Sequence, residues 1–217
     1  MRQLDIFDPT KYQAKLIVIG AGGIGGPTIL QAAKLGIEDI HVIDFDQVTD
    51  HNQPNQLFGP QHVGQSKCLA LKEIIKTLTG VDIKYTETKI TDDSNFPFEG
   101  VVVAAVDSID ARRTIFEKVK MNPNCRLLLD GRIGGEILAL YAINPLDLDQ
   151  LEKYEEEALF PASESAKLPC TARAIADVGF FIGAFIARAI RKFLVNESDI
   201  KFETIFDVKN GILMQRS

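Results

Sequence analysis

Short apolar runs alternate with amphipathic stretches along most of the chain. "KLIVIG" (15–20) and "IHVIDFD" (40–46) are β-branched runs of the kind a parallel sheet buries on both faces, and "GPTILQAAKLGIE" between them spaces its apolar residues at helical intervals. That pattern predicts a strand, a helix and a strand in succession. "QSKCLALKEIIKTLTG" predicts a second helix ending at Gly80, and "DIKYTETKI" a strand with one wet face. "GVVVAAVD" (100–107) predicts another buried strand, and "SIDARRTIFEKVKMNPN" a helix that stops at Pro123. "RLLLDGRIGGEILALYAINP" predicts two strands joined through Gly131, Gly134 and Gly135.

From Leu146 to Leu168 the character changes: "LDLDQLEKYEEEALFPASESAKL" is acidic, then rich in Ser, Ala and Pro, which predicts a helix followed by a loop crossing the domain surface. "CTARAIADVGFFIGAFIARAIRKFLV" predicts a long, mostly buried helix, and "FETIFDVKNGILMQ" a closing hairpin turned at Asn210-Gly211. The alternation predicts one α/β domain over residues 1–217, a doubly wound, mostly parallel, Rossmann-like sheet with helices on both faces. Its parts are a nucleotide-binding portion (1–145), a crossover loop (146–170) and a C-terminal helix with closing hairpin (171–217).

Composition narrows the classes. The 217 residues suffice for a full core, and a formal charge of −6 leaves no basic stripe for a nucleic-acid backbone. The N-terminal "MRQLDIFDPTKYQ" lacks the apolar block of a signal peptide, and the longest apolar run, Val178 to Ile190, contains Arg188 and is too short to span a membrane. A cytoplasmic protein without membrane or nucleic-acid partners is expected. Three separated cysteines, Cys68, Cys125 and Cys170, predict neither disulfides nor a zinc site.

The first chemical signal is "LIVIGAGGIGGPTI". Gly20, Gly22 and Gly25 form Gly-x-Gly-x-x-Gly between a strand and a helix, with Gly23 beside them. The first glycine permits a tight turn, the second a close approach of backbone to phosphate and the third helix–strand packing, while the helix N-terminus favours negative charge. Asp44 follows at about the 20-residue distance at which an acid meets a ribose hydroxyl. These features point to a nucleotide without saying which.

The stretch after Asp44 favours ATP over NAD. A dinucleotide needs little beyond that one acid, whereas "DFDQVTDHNQPNQLFGPQHVGQSK" adds Asp46, Asn52, Gln56 and Lys67. A lysine and amides opposite carboxylates suit a triphosphate with Mg2+. Lys67 can neutralise phosphate charge, and Asp107, ending "GVVVAAVD", can hold the metal through hard oxygens.

With "GAGGIGG", "DFDQVTDHNQPNQ", "VGQSK" and "VDSIDAR" in this order, the chain resembles the ThiF, MoeB and HesA family of adenylating domains related to ubiquitin-activating enzymes, most clearly from Arg2 to about Ile143. The resemblance implies ATP- and Mg2+-dependent adenylation of the C-terminal carboxylate of a ubiquitin-like or sulfur-carrier protein ending in Gly-Gly. It implies that Asp44 binds ribose, that Asn52, Gln56 and Lys67 contact phosphates, that Asp107 is the metal ligand and that Arg112 occupies a family position. It also implies a homodimer in which Arg2 reaches the other subunit's site. Two departures stand out. Asn55 occupies the place of a phosphate-contacting arginine, for which Arg112 or Arg113 is a candidate substitute, and the zinc-binding Cys-x-x-Cys pairs of many relatives are absent.

The residue types fit that chemistry independently. A carboxylate attacking phosphorus is already ionised near neutral pH and needs no general base, only alignment and relief of anion repulsion. Cys170, expected at a helix start that would favour the thiolate, is the candidate nucleophile for thioester or persulfide formation, the alternative being a small buried filler. His41 and Asp130 are expected to be structural, His51 to be either near the phosphates or a plain loop residue, and Arg112 and Arg113 to lie on a solvated helix face, with Arg112 favoured as a site residue by its family position. Two further readings stay open: an NAD-dependent oxidoreductase, which leaves Lys67 and Asp107 without a task, and a non-catalytic subunit of a heterodimeric activating enzyme, which Asn55 suggests.

Overall fold

The computed structural model describes residues 4–159, 175–197 and 199–217. Eight strands form a single sheet: β1 (Lys15–Ile19), β2 (Asp39–Ile43), β3 (Lys84–Thr86), β4 (Gly100–Ala104), β5 (Cys125–Gly134), β6 (Ile137–Ile143), β7 (Glu203–Asp207) and β8 (Ile212–Arg216). Their spatial order is β3-β2-β1-β4-β5-β6-β7-β8. The first five neighbours pair in parallel and the last three add antiparallel, so the sheet is doubly wound at one side and a meander at the other.

The helices are α1 (Gly25–Leu35), α2 (Lys67–Thr79), α3 (Ile109–Val119), α4 (Leu148–Ala158) and α5 (Ala176–Leu194). Alternate residues of the central strands feed two cores. Leu16, Val18, Val101, Val103, Leu127 and Leu129 pack with α1, α2 and α5. Ile17, Ile19, Val102, Ala104 and Leu128 pack on the other face with α3 and α4. Parallel strands buried on both faces explain why their sequences are continuous apolar runs and do not alternate.

α1 and α2 end at left-handed glycines, Gly36 and Gly80, as the helix stop signals predict. The hairpin between β7 and β8 turns through Asn210 and Gly211, the latter at φ +67. Elsewhere boundaries moved. The expected strand over 82–90 pairs only at Lys84–Thr86. α3 ends at Val119, not Pro123, because Lys120 leaves helical geometry and Met121 turns left-handed (φ +57). Gly131 lies inside β5, while Gly135 (φ +64) makes the turn to β6. α5 begins at Ala176 after an extended Ile175 (φ −91, ψ 154), later than Cys170.

No described helix is long and apolar enough to cross a membrane. α5 lies against α1 through small residues. A Cβ at Gly179 would approach the Gly23 carbonyl oxygen to 2.5 Å, and one at Gly183 would meet Pro27 and Gln31 at under 3 Å. The long C-terminal helix is thereby seated directly behind the glycine turn.

Candidate functional site

The carboxyl ends of β2, β1, β4 and β5 open onto one cavity of about 420 Å³. It sits where the crossovers from β1 and β4 diverge, the position at which open α/β sheets bind ligands.

The glycine turn forms its floor. Gly20 has φ +103, and a Cβ there would collide with the Ala105 carbonyl oxygen; a Cβ on Gly25 would collide with the carbonyl of Gly20. These two glycines make the turn possible. Gly22 and Gly23 instead line the cavity, and Gly25 is buried behind them. The α1 N-cap, Ile24, supplies no side-chain cap, so the positive end of the helix dipole is left for an anion in the cavity.

Asp44 follows β2 and holds two loops together: its Oδ2 accepts from Ala21 N–H at 2.6 Å and its Oδ1 from Asp46 N–H at 2.7 Å. Lys67 opens α2 behind the N-cap Ser66, and its ammonium, nearly buried, lies 2.8 Å from Asp46 Oδ2. Asn55 and Gln56 complete this rim. The Gln56 Oε1 is buried and has no hydrogen-bond partner among the described residues. Asn52 is placed differently. Its Oδ1 accepts from Thr49 N–H and Oγ1–H at 2.8 and 3.1 Å, shaping the turn that carries Asn55 and Gln56, and it does not line the cavity.

Asp107 follows β4 at the opposite rim, exposed, where Ser108 caps α3. Arg112, one turn into α3, is buried and not solvated. It donates to Asp130 and to the Val106 carbonyl. Asp130 is fully buried and also accepts from Arg132 Nε and from the Tyr154 hydroxyl, both at 2.8 Å. Arg113 is half-buried and donates to the Leu159 carbonyl, contrary to the expected solvated face. Burial pushes the Tyr154 hydroxyl pKa up, against the pull of the two arginines.

The remaining candidates separate. His51 is exposed and off the cavity wall, and His41 is half-buried, its Nε2 2.8 Å from Thr86 Oγ1. Burial pushes the thiols of Cys68 and Cys125 up to about 12, which removes both as nucleophiles near neutrality. Arg2 and Cys170 lie outside the described residues. Arg132, which lines the cavity beside Arg112, was not among the candidates. The signal available was Asp130-x-Arg132 at a strand's carboxyl end, two charges on one face of a run otherwise apolar.

Among the described residues no three His, Cys, Asp or Glu side chains form a metal cage. A Mg2+ held by one carboxylate and substrate phosphates needs none, and exposed Asp107 at the cavity mouth fits that arrangement.

The ThiF family model matches residues 10–212. The chain is 36% identical over 115 residues to a NEDD8-activating enzyme E1 catalytic subunit of Dictyostelium discoideum, covering 51% of this chain and 26% of that protein. It is 41% identical over 63 residues to a probable adenylyltransferase/sulfurtransferase MoeZ of Mycobacterium tuberculosis, covering 29% of this chain and 16% of that one. The matches thus span about a quarter or less of those relatives. In fold it superposes on the E. coli MccB structure with ATP at a TM-score of 0.75, with 17% identity, covering 95% of this chain and 64% of that one.

Proposed function

Since the chain belongs to the ThiF family, we propose that it adenylates a carboxylate with ATP, the substrate being the C-terminus of a ubiquitin-like or sulfur-carrier protein. The observation that carries this reading is the meeting of the glycine turn, Asp44, Lys67 and Asp107 around one cavity. A dinucleotide site has no use for the last two. The relatives named as a NEDD8-activating enzyme and an adenylyltransferase/sulfurtransferase support the substrate class.

On this reading Asp44 orients the ribose, and the turn with the α1 N-terminus receives phosphate oxygens. Lys67 exchanges its contact with Asp46 for a phosphate, so a solvated carboxylate replaces a half-buried pair. Asp107 would hold Mg2+, which would supply positive charge against the triphosphate. The substrate carboxylate attacks the α-phosphorus, forming one P–O bond as the bond to pyrophosphate breaks; no proton moves, and no general base is required. Arg2 from a second subunit completes the site, and the Cys170 thiolate, its proton lost to solvent, attacks the acyl carbon, forming a thioester as the bond to AMP breaks and AMP leaves.

Formation of AMP and pyrophosphate by wild type and Asp107→Ala tests the reading. Loss of at least about two orders of magnitude is expected, in the range seen when one charge-stabilising group is removed. Unchanged turnover would overturn the role of Asp107. Thermal stabilisation by NADH, with none by ATP and Mg2+, would overturn the nucleotide assignment.

A further inference from the structure

A second cavity, of about 400 Å³, opens between the carboxyl-terminal halves of α1 and α5. Lys34, Arg188 and Arg191 line it with Gln31, Ala184 and Ala187, and among the described residues no acidic side chain does. Lys34 donates to the Leu78 carbonyl, but none of the three cations has a carboxylate partner among the described residues. Gln31 Nε2 donates to the Phe180 carbonyl at 3.2 Å, so Phe180, 44% exposed, stands at the head of the groove. Phe180, Ala184 and Arg188 follow one another at four-residue steps, a single row along α5. An exposed aromatic beside unpaired cations is the surface an acidic helix with an apolar end would cover.

α4 of the same chain is such a helix. Leu148, Glu152 and Glu156 form a row at the same four-residue steps, all exposed, with Asp149 beside them. Glu155 and Glu157 are paired with Lys120 and Arg216, whereas Asp149, Glu152 and Glu156 have no cation among the described residues. The last turn of α4 contains no basic residue. Glu156 thus stands at a helix end that favours positive charge, with none supplied by its own chain. Rows of this kind on two helices pack alongside each other, ridge into groove.

We propose that α4 of a second copy of this chain lies in the groove between α1 and α5. Leu148 then meets Phe180, Glu152 crosses the small side chain of Ala184, and Glu156 reaches Arg188, with Arg191 and Lys34 beyond it. Within one copy α5 packs on one face of the sheet and α4 on the other. Two copies joined this way therefore leave one groove and one α4 free, so the contact is head-to-tail and adds further copies. It stands apart from the adenylation reading, because neither Arg188 nor Glu156 lines the nucleotide cavity.

The test is sedimentation velocity of the full chain over protein concentrations from about 1 to 100 µM, the range of a weak self-association. One variant, Arg188→Glu with Arg191→Glu, reverses the groove; another, Glu152→Arg with Glu156→Arg, reverses the helix. Melting temperature is the folding control. Wild type is expected to give species that grow with protein concentration and shrink with added salt. Each reversed variant should associate about tenfold more weakly or worse, and an equimolar mixture of the two should recover association, because each reversed surface then finds its complement. Wild type of constant size across this range, a reversed variant that associates as wild type does, or a mixture that recovers nothing would each overturn the proposal. If a reversed variant does not fold, Arg188→Gln and Glu156→Gln take its place, and undiminished association by both overturns it.

Discussion

The two walls of the cavity use charge in opposite ways. On the β2 side, Lys67 meets Asp46, whose carboxylate is 47% exposed, and the pair can separate because water receives the acid. On the β5 side, Asp130 has no exposure at all and is held by two arginines and a tyrosine. An open pair can exchange partners when ligand arrives; a closed cluster can only be complete or broken. One wall is built to respond and the other to stay.

The largest expected effect breaks the closed wall. Asp130→Ala removes the buried carboxylate that Arg112 and Arg132 share, and should cost about 3–5 kcal/mol of stability by chemical denaturation. Lys67→Met strikes the open wall where it works. We expect stability within about 1 kcal/mol of wild type, but ATP affinity lowered by about 1.5–3 kcal/mol, tenfold or more, by titration calorimetry. Asp46→Asn removes only the exposed partner and should change stability by less than about 1 kcal/mol, with nucleotide affinity held or raised because Lys67 no longer has to leave an ion pair. An Asp46→Asn loss as large as that of Asp130→Ala would erase the contrast between the walls.

The smallest effect sits outside both walls. Burial, then Lys84 and Lys15, holds the His41 pKa below its ordinary 6.5, while Asp39 opposes. The folded state therefore prefers neutral His41. Its contribution to stability is present above pH 6.5 and lost as pH falls through the lower folded value. His41→Gln should flatten the fall in melting temperature between about pH 7 and 5.

The open wall and the rim at Asp107 were legible in the sequence and the closed wall was not. Gly20, Asp44, Lys67 and Asp107 belong to short segments whose strand–turn–helix setting is local, so their spacing carries their placement. Arg112, Asp130, Arg132 and Tyr154 come from α3, β5 and α4, and only the packing of α3 and α4 onto the sheet joins them. Asn52 sat in a recognisable stretch, yet its side chain turned back on Thr49, because an Asn oxygen three residues ahead caps a tight turn well. The end of the sheet was read as strands, but nothing local in β6 to β8 announced that they would extend one continuous sheet.

The contact of Gly179 with Gly23 has a consequence for how the protein is made. The helix that backs the glycine turn is encoded some 150 residues after it. At about 5–20 residues per second, the turn waits on the order of ten seconds for its support. The cavity floor is thus among the later parts of the nascent domain to be finished, and a polypeptide interrupted after α4 would carry its residues without its form.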